Sequence, residues 1–490
     1  MTVRVRMAPS PTGFIHIGNL RTVIYDALFA DRHKGTLILR IEDTDQKRFV
    51  EGAAEAFCRS LKTLGIIPDE GMWIDDSSKL IERGPYGPYL QTKRTDIHQA
   101  RAKELIEKGL AYRCFCSAER LEEMRKAQHD SGQPTRYDRA CLKLSPEDVE
   151  TRVQKGEPHV IRLKVPDQGS VTFHDEIRGD ITFDWKEIDD QVIIKADGIA
   201  TYHLAATSDD HDMEITHVIR GEEWLSSTPK HLFIYQAFGW EPPKFAHVPL
   251  LLNPDRTKLS KRQGDVSVES YLEKGYLPET LLNFVALLGW NPTADREIFT
   301  RAELAEHFDL SKINRSGAVV NFEKLDWLNS HYLKQLSEEA FSVYIHDELA
   351  KVTQDPDIQK RIAGLLRDRV AKKSDIATIA TDFIPSNEDP QADLIRWKEQ
   401  TSEDAITRLH AVRELLLIIP ASDWSAPATL ETKIKQMIAE RGWGNGEVLW
   451  PLRVTLSGKK QSPPPFELLF TFGEKASLAR IDQAIRVLSA

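Results

Sequence analysis

The sequence predicts an α/β Rossmann-like domain with an α+β insertion, followed by a mostly α-helical C-terminal half. Three observations carry that expectation. A strand, a helix and a second strand fit into the first stretch of about 40 residues, the length of one βαβ unit. The alternation of strands and helices breaks over residues 98–196. From residue 337 onward apolar positions recur at helical spacing.

Residues 3–8 read as a buried strand that ends at Pro9. Pro9 and Pro11 hold the backbone extended, and Gly13 permits a turn. Leu20, Val23, Ile24, Ala27 and Leu28 then follow a helical period, and Cys58 falls on the core face of a further helix. Residues 36–41 form a second strand running into Glu42-Asp43-Thr44-Asp45. A parallel sheet of this kind binds ligands beyond the carboxyl ends of its strands, where residues 10–16 and Glu42 fall. Polar helices at 99–108 and 118–128 precede short strands at 159–165, 171–174 and 180–183, the expected inserted module. The sheet pattern is expected to resume at 192–195 and to continue through 202–207 and 217–220. Ile358, Ile362, Leu365 and Leu366 lie at i, i+4, i+7 and i+8, as do similar residues from 406 to 416. Proline-rich stretches at 420–427 and 462–465 read as loops. The expected division is 1–97 with 197–254, then 98–196, 255–336 and 337–490.

With 490 residues and 41% apolar content, the chain can build large cores. Sixty-five Lys and Arg against 75 Asp and Glu leave a net charge of -10, which argues against bulk attraction to nucleic acid and leaves a local basic track open. No apolar run reaches the roughly 20 residues of a membrane span. The N-terminus lacks a signal-peptide pattern, and four cysteines make no disulfide framework. A cytoplasmic location is expected.

Two segments carry chemistry. The first is Ala8-Pro9-Ser10-Pro11-Thr12-Gly13-Phe14-Ile15-His16-Ile17-Gly18-Asn19, and the second is Lys258-Leu259-Ser260-Lys261-Arg262. Activating a carboxylic acid with ATP builds negative charge at the α-phosphorus and on departing pyrophosphate. That transition state needs donors at a loop opening into a helix N-terminus, and mobile cations over the phosphates. His16 and Gly18 suit the first need, and Lys258 and Lys261 the second. Each motif alone is ordinary: a turn with an incidental histidine, or a solvated loop. Their order and context remove that ambiguity.

Those two segments together resemble the ATP-handling signatures of class I aminoacyl-tRNA synthetases. Arg40-Ile41-Glu42-Asp43-Thr44-Asp45, Gly87-Pro88-Tyr89-Leu90-Gln91-Thr92-Lys93-Arg94 and the run from Val218 to Pro229 are similar to blocks of the bacterial glutamyl-tRNA synthetase family. The resemblance is firm over residues 3 to about 330 and weaker beyond. It implies an amino-acid pocket of Arg6, Ala8, Ser10, Glu42, Tyr202, Arg220 and Trp224. It implies an ATP site of His16, Gly18, Glu223, Leu250, Leu251, Lys258, Ser260 and Lys261. Ala206 stands where some members have Asn, leaving one substrate contact unassigned. ATP with Mg2+ is the implied cosubstrate. The implied partners are L-glutamate and glutamate tRNA, with glutamine tRNA also open, bound by a monomer. In this reading 98–196 binds the acceptor stem, 255–336 contacts the stem, and 337–490 reads the anticodon. An acidic substrate side chain calls for a guanidinium, and Arg6 and Arg220 both end predicted strands. Pairing with Glu42, Glu222 or Glu223 is the alternative for both. Rival readings are a glutaminyl enzyme, disfavoured by the helical C-terminal third, and a noncatalytic tRNA-binding factor, disfavoured by intact ATP motifs.

Cys114-Phe115-Cys116, Tyr137 and Cys141 form a second constellation, similar to a zinc site of some family members. Lys143 occupies the position of a fourth ligand, so Tyr137 or His129 would complete the set. Asp209-Asp210-His211-Asp212 reads as a polar loop that shapes the site rather than a metal cluster. Trp443, Trp450, Arg453 and Lys459 lie in the helical tail, where tryptophan is more often core than a base-stacking platform.

Overall fold

The computed structural model describes residues 2–13, 15–259, 267–293, 295–386 and 390–490. The chain divides into two units, one of Met1–Glu273 with Pro278–Phe322, the other of Lys274–Leu277 with Glu323–Ala490.

In the first unit the strands are β1 (Arg4–Met7), β2 (Thr36–Leu39), β3 (Glu70–Ile74), β4 (Leu80–Arg83), β5 (Ala111–Cys114), β6 (Val160–Leu163), β7 (Ser170–Asp175), β8 (Gly179–Asp184), β9 (Val192–Ile194), β10 (His217–Gly221), β11 (Lys244–Val248), β12 (Leu251–Leu252) and β13 (Ala318–Val319). Eight of them form one sheet in the order β4-β3-β2-β1-β10-β11-β7-β8. Its centre is parallel; β4 and β8 close the edges antiparallel. Residue Val5 pairs in register with Leu37 on one side and His217 on the other, so β1 is buried on both flanks. Strands this enclosed run apolar, as Leu37, Ile38 and Leu39 do, while the arginines of β1 are held in ion pairs. The Ile17–His33 helix packs its Leu20, Val23, Ile24, Ala27 and Leu28 stripe inward. Its C-cap Lys34 turns left-handed at φ 51° to deliver the chain into β2.

Four expectations need correction. Residues 202–207 do not continue the sheet; they begin the Tyr202–Asp212 helix. Leu204 through Asp210 are all buried, so no polar face exists to betray a helical period. The carboxylates of Asp209 and Asp212 therefore sit on a helix, not in a loop. Strands β7 and β8, read as part of the insertion, extend the main sheet beside β11. Strand β9, read as resumed main sheet, instead pairs with β6 in a separate sheet of order β5-β6-β9. Hydrophobic alternation reveals a strand and not its partner.

The second unit is helical. Pro356–Leu366, Ser402–Ile418, Pro427–Glu440, Asn445–Ser457 and Pro465–Ser489 surround a core that includes Ile362, Leu366, Leu409, Val412, Leu416 and Ile481. The 356–366 and 402–418 helices coincide with the two periodic runs in the sequence. None of the described helices is long and apolar enough to cross a membrane.

Candidate functional site

From β1 the chain builds outward in both directions, through β2 and β3 on one side and through β10, β11 and β7 on the other. A crevice opens beyond the carboxyl ends of strands at such a switch point. Here it is a cleft of about 960 Å³. Arg6, Ala8, Ser10, Glu42, Tyr202, Arg220 and Trp224 line it, together with His16, Gly18, Glu223, Leu250, Leu251 and Lys258. Ser260 and Lys261 lie outside the described residues. Ala206 is buried in its helix and is not among the lining residues.

The chain just beyond the second motif returns to the first through backbone pairing. Ser267 bridges to His16, and the Val268 N–H donates to the Ile15 carbonyl at 3.0 Å. On the other arm Leu259 donates to the Leu251 carbonyl at 3.0 Å, and Lys258 lines the cleft. Gly13 makes its turn at φ 135°, a region that favours glycine. His16 is the N-cap of the Ile17–His33 helix; its Nδ1 accepts the Gly18 N–H at 3.0 Å. The proton of the neutral ring therefore sits on Nε2. A Cβ at Gly18 would stand 3.2 Å from His16 Nδ1, so glycine is what lets the cap close.

The two strand-end arginines differ. Arg6 Nε lies 3.1 Å from Asp210, whose carboxylate also takes Arg40 at 2.8 Å; Arg40 reaches on to Glu42 at 2.9 Å. Burial pushes the Glu42 carboxyl above its usual range, against the opposing pull of Arg40 and Arg6. Arg6 thus follows the local-pairing reading, with Asp210 in place of the expected glutamates. Arg220 does not. Its Nε donates to His247 Nε2 at 3.0 Å, and its terminal nitrogens donate to the Tyr202 hydroxyl at 2.9 Å, Thr228 Oγ1 at 2.8 Å, and, at 3.3 Å, to His231 Nδ1 and the Trp224 carbonyl. None of these is a carboxylate, and Arg220 is buried. Glu222 is drawn off by Arg178 and by the Leu250 N–H at 2.8 Å. A buried cation facing only neutral acceptors is costly unless a ligand brings the counter-charge.

The helix carboxylates are occupied by protein cations. Asp209 holds Arg94 at 2.7 Å and His98 at 2.8 Å, and Asp212 holds Arg94 at 2.6 Å and also Arg101. Asp210 falls in the acidic run expected to shape the site, but sequence reasoning missed Arg40, Asp175 and His247 as supporting groups. The one available signal was a lone histidine in the otherwise apolar stretch of β11.

Away from the cleft, the Sγ atoms of Cys114, Cys116 and Cys141 lie within 4.8 Å of one another. The Tyr137 hydroxyl is 3.3 Å from both Cys114 and Cys116. Burial raises the Cys114 thiol, but hydrogen bonding with Tyr137, the Cys116 N–H and Arg162 outweighs it and leaves the thiol below its usual range. His129 is exposed beside Asp130 and takes no part. Cys58 is core, its thiol pushed up to about 12 by burial. In the helical unit Trp443 and Trp450 pack against the core; Trp450 Nε1 donates to the Leu394 carbonyl at 2.9 Å.

Residues 2–327 match the family model of tRNA synthetases class I (E and Q), catalytic domain, and residues 325–485 match an anticodon binding domain. A glutamate–tRNA ligase of Clostridioides difficile is 42% identical over 489 residues, 98% of each chain. One from Lachnoclostridium phytofermentans is 42% identical, covering 100% of this chain and 99% of its own. The crystal structure of a glutamate tRNA ligase from Elizabethkingia meningosepticum, in complex with its amino acid, superposes with a TM-score of 0.87 at 34% identity, over all of both chains.

Proposed function

The chain belongs to the class I tRNA synthetases of the glutamate and glutamine group, and within it to the glutamate–tRNA ligases, which join L-glutamate to tRNA with ATP; from that premise we propose that the cleft at the β1–β10 switch point holds glutamate and ATP side by side. The buried Arg220 guanidinium, surrounded by neutral acceptors, is the observation that carries the glutamate subsite. It takes the side-chain carboxylate, with Tyr202 and Trp224 as the adjacent wall. Glutamine would bring no charge and leave the cation uncompensated, so selection needs no separate editing step. Glu42, fixed by Arg40, faces the α-ammonium group, and Arg6, Ala8 and Ser10 complete the wall.

ATP occupies the other arm of the cleft. Leu250 and Leu251 border the adenine, Glu223 the ribose, and Gly18 leaves room for phosphate against backbone. His16 Nε2–H points its donor capacity at the α-phosphate, and the N-terminus of its helix adds a favourable dipole. Lys258 steadies the pyrophosphate, a task Lys261 would share. The α-carboxylate of glutamate attacks the α-phosphorus and pyrophosphate leaves. A ribose hydroxyl of the tRNA 3′-adenosine then attacks the mixed anhydride and AMP leaves. Mg2+ arrives with the nucleotide, because Asp209 and Asp210 are committed to arginines.

Three buried or half-buried thiols with a hydroxyl in reach suit one tetrahedral zinc, a structural ion that would tie the 114–116 and 137–141 segments together. Metal analysis finding well under one equivalent rejects it. Residues 98–196 receive the acceptor stem, 255–336 follow the stem, and 337–490 read the anticodon of glutamate tRNA, in a cytoplasmic monomer. Charging assays with both tRNAs decide whether glutamine tRNA is also accepted.

The test of the pocket is Arg220→Ala. Losing a charge-assisted contact should raise the KM for glutamate about 10- to 100-fold and leave that for ATP unchanged. Equal changes in both overturn the assignment.

A further inference from the structure

Arg220 and His247 are register partners on neighbouring parallel strands, β10 and β11. On the far side of β11, Phe245 pairs with Asp175 at the end of β7. Three consecutive strands therefore each contribute one link of a buried chain. A guanidinium N–H can only donate, so His247 Nε2, 3.0 Å from Arg220 Nε, must be the unprotonated nitrogen. The proton is then on Nδ1, 2.6 Å from Asp175 Oδ2. Asp175 is fixed in turn: its Oδ1 accepts the N–H groups of Ile177 at 3.0 Å and Arg178 at 2.9 Å, and Oδ2 accepts that of His247 at 3.1 Å. Both His247 and Asp175 are fully buried.

We propose that Asp175 and His247 are positioning residues for substrate selection: Asp175 fixes the tautomer of His247, and His247 can then orient Arg220 without neutralising it. A carboxylate in the place of His247 would orient the guanidinium equally well and cancel its charge, which is the property that distinguishes glutamate from glutamine. A neutral imidazole gives orientation alone. Burial pushes His247 down to about 4, so it stays neutral at working pH, and His231 on the other side of Arg220 lies well below its usual value for the same reason. The proposal rests on the reading of Arg220 as the partner of the substrate's side-chain carboxylate.

Asp175→Asn tests it in the full chain with tRNA present. The backbone N–H groups of Ile177 and Arg178 hold the amide oxygen at the Oδ1 position, so the amide nitrogen faces His247 Nδ1. A donor there drives the proton to Nε2, against the Arg220 Nε–H. The expected result is a KM for glutamate raised about tenfold or more, an unchanged KM for ATP, and a narrowed preference for glutamate over glutamine. His247→Gln in the same background should restore much of the loss, because its amide can present oxygen to Arg220 whichever way the substituted side chain at position 175 faces. A merely structural role predicts further loss from the second substitution, not recovery. The proposal is overturned if Asp175→Asn leaves glutamate KM and the glutamine preference unchanged while Arg220→Ala raises that KM, or if the double variant is no better than Asp175→Asn. If Arg220→Ala itself leaves glutamate KM unchanged, the pocket reading fails and takes the relay with it. Should Asp175→Asn not fold, His247→Gln alone decides: retained preference for glutamate supports a neutral acceptor, and lost preference opposes it.

Discussion

Asp26 is the residue whose chemistry is least expected from its position. It lies in the Ile17–His33 helix, wholly buried, and neither carboxylate oxygen has a hydrogen-bond partner. Burial pushes its carboxyl well above the ordinary value of 3.8, and Arg6 only partly offsets this. A raised carboxyl pKa means that the folded state resists an ionisation the unfolded chain undergoes freely. Stability is thus undiminished below the ordinary value and falls as pH rises toward the folded value. Asp26→Asn removes that ionisation. Urea unfolding should find the variant about 1–3 kcal/mol more stable at neutral pH, with the gain vanishing near pH 4. A gain that persists unchanged in acid contradicts a buried ionisable group as its source. Arg220 makes the complementary point: both residues are buried with no charged partner in contact, yet only Arg220 opens on the cleft, where a ligand can supply the missing charge.

At the scale of elements, the helix after β1 has two jobs resting on one side chain. His16 caps it through Nδ1 and lines the cleft, where the proposed reading gives Nε2–H its catalytic task. The two are separable, because Asn is a good N-cap that places its amide differently. His16→Asn should melt with the parent yet lose about 10²-fold or more in tRNA-dependent pyrophosphate exchange. His16→Ala should lose both the rate and about 1 kcal/mol of stability. An Asn variant with parental exchange would assign His16 to the cap alone. This element was legible in the sequence because Pro9, Pro11, Gly13 and the 20–28 apolar stripe are local signals. The Tyr202–Asp212 helix was not, because ion pairs from Arg6, Arg40 and Arg94 bury Asp209 and Asp210 and erase its polar face. Sheet partnership was equally hidden, since the alternation in 170–184 is the same whether those strands join β11 or a separate module. Motif residues of the cleft were readable as a set; His247, which holds Arg220, meets it only across neighbouring strands distant in sequence.

At the scale of the whole molecule, a net charge of -10 and a polyanionic partner are reconciled only if recognition is divided among local surfaces. Two linked modules that touch one ligand gain roughly 10²–10⁴ in avidity over either alone. The unit of Lys274–Leu277 with Glu323–Ala490 has its own buried core, so each part is expected to hold its structure when separated. A chain ending at 322 should bind ATP as the parent does, and its apparent affinity for glutamate tRNA should fall about 10²-fold or more. The excised Glu323–Ala490 piece should unfold cooperatively, but below the parent. Asn329, wholly buried, accepts the Leu277 N–H at 2.9 Å and donates to the Gly275 carbonyl at 3.3 Å, two partners left behind, while its donation to the Ala371 carbonyl at 2.6 Å is kept. Losing the Leu277 hydrogen bond should cost about 0.5–1.5 kcal/mol. Restoring Lys274–Leu277 through a short linker should recover that difference; a piece equally stable without them would mean that Asn329 finds other partners and that the boundary lies at residue 323 alone.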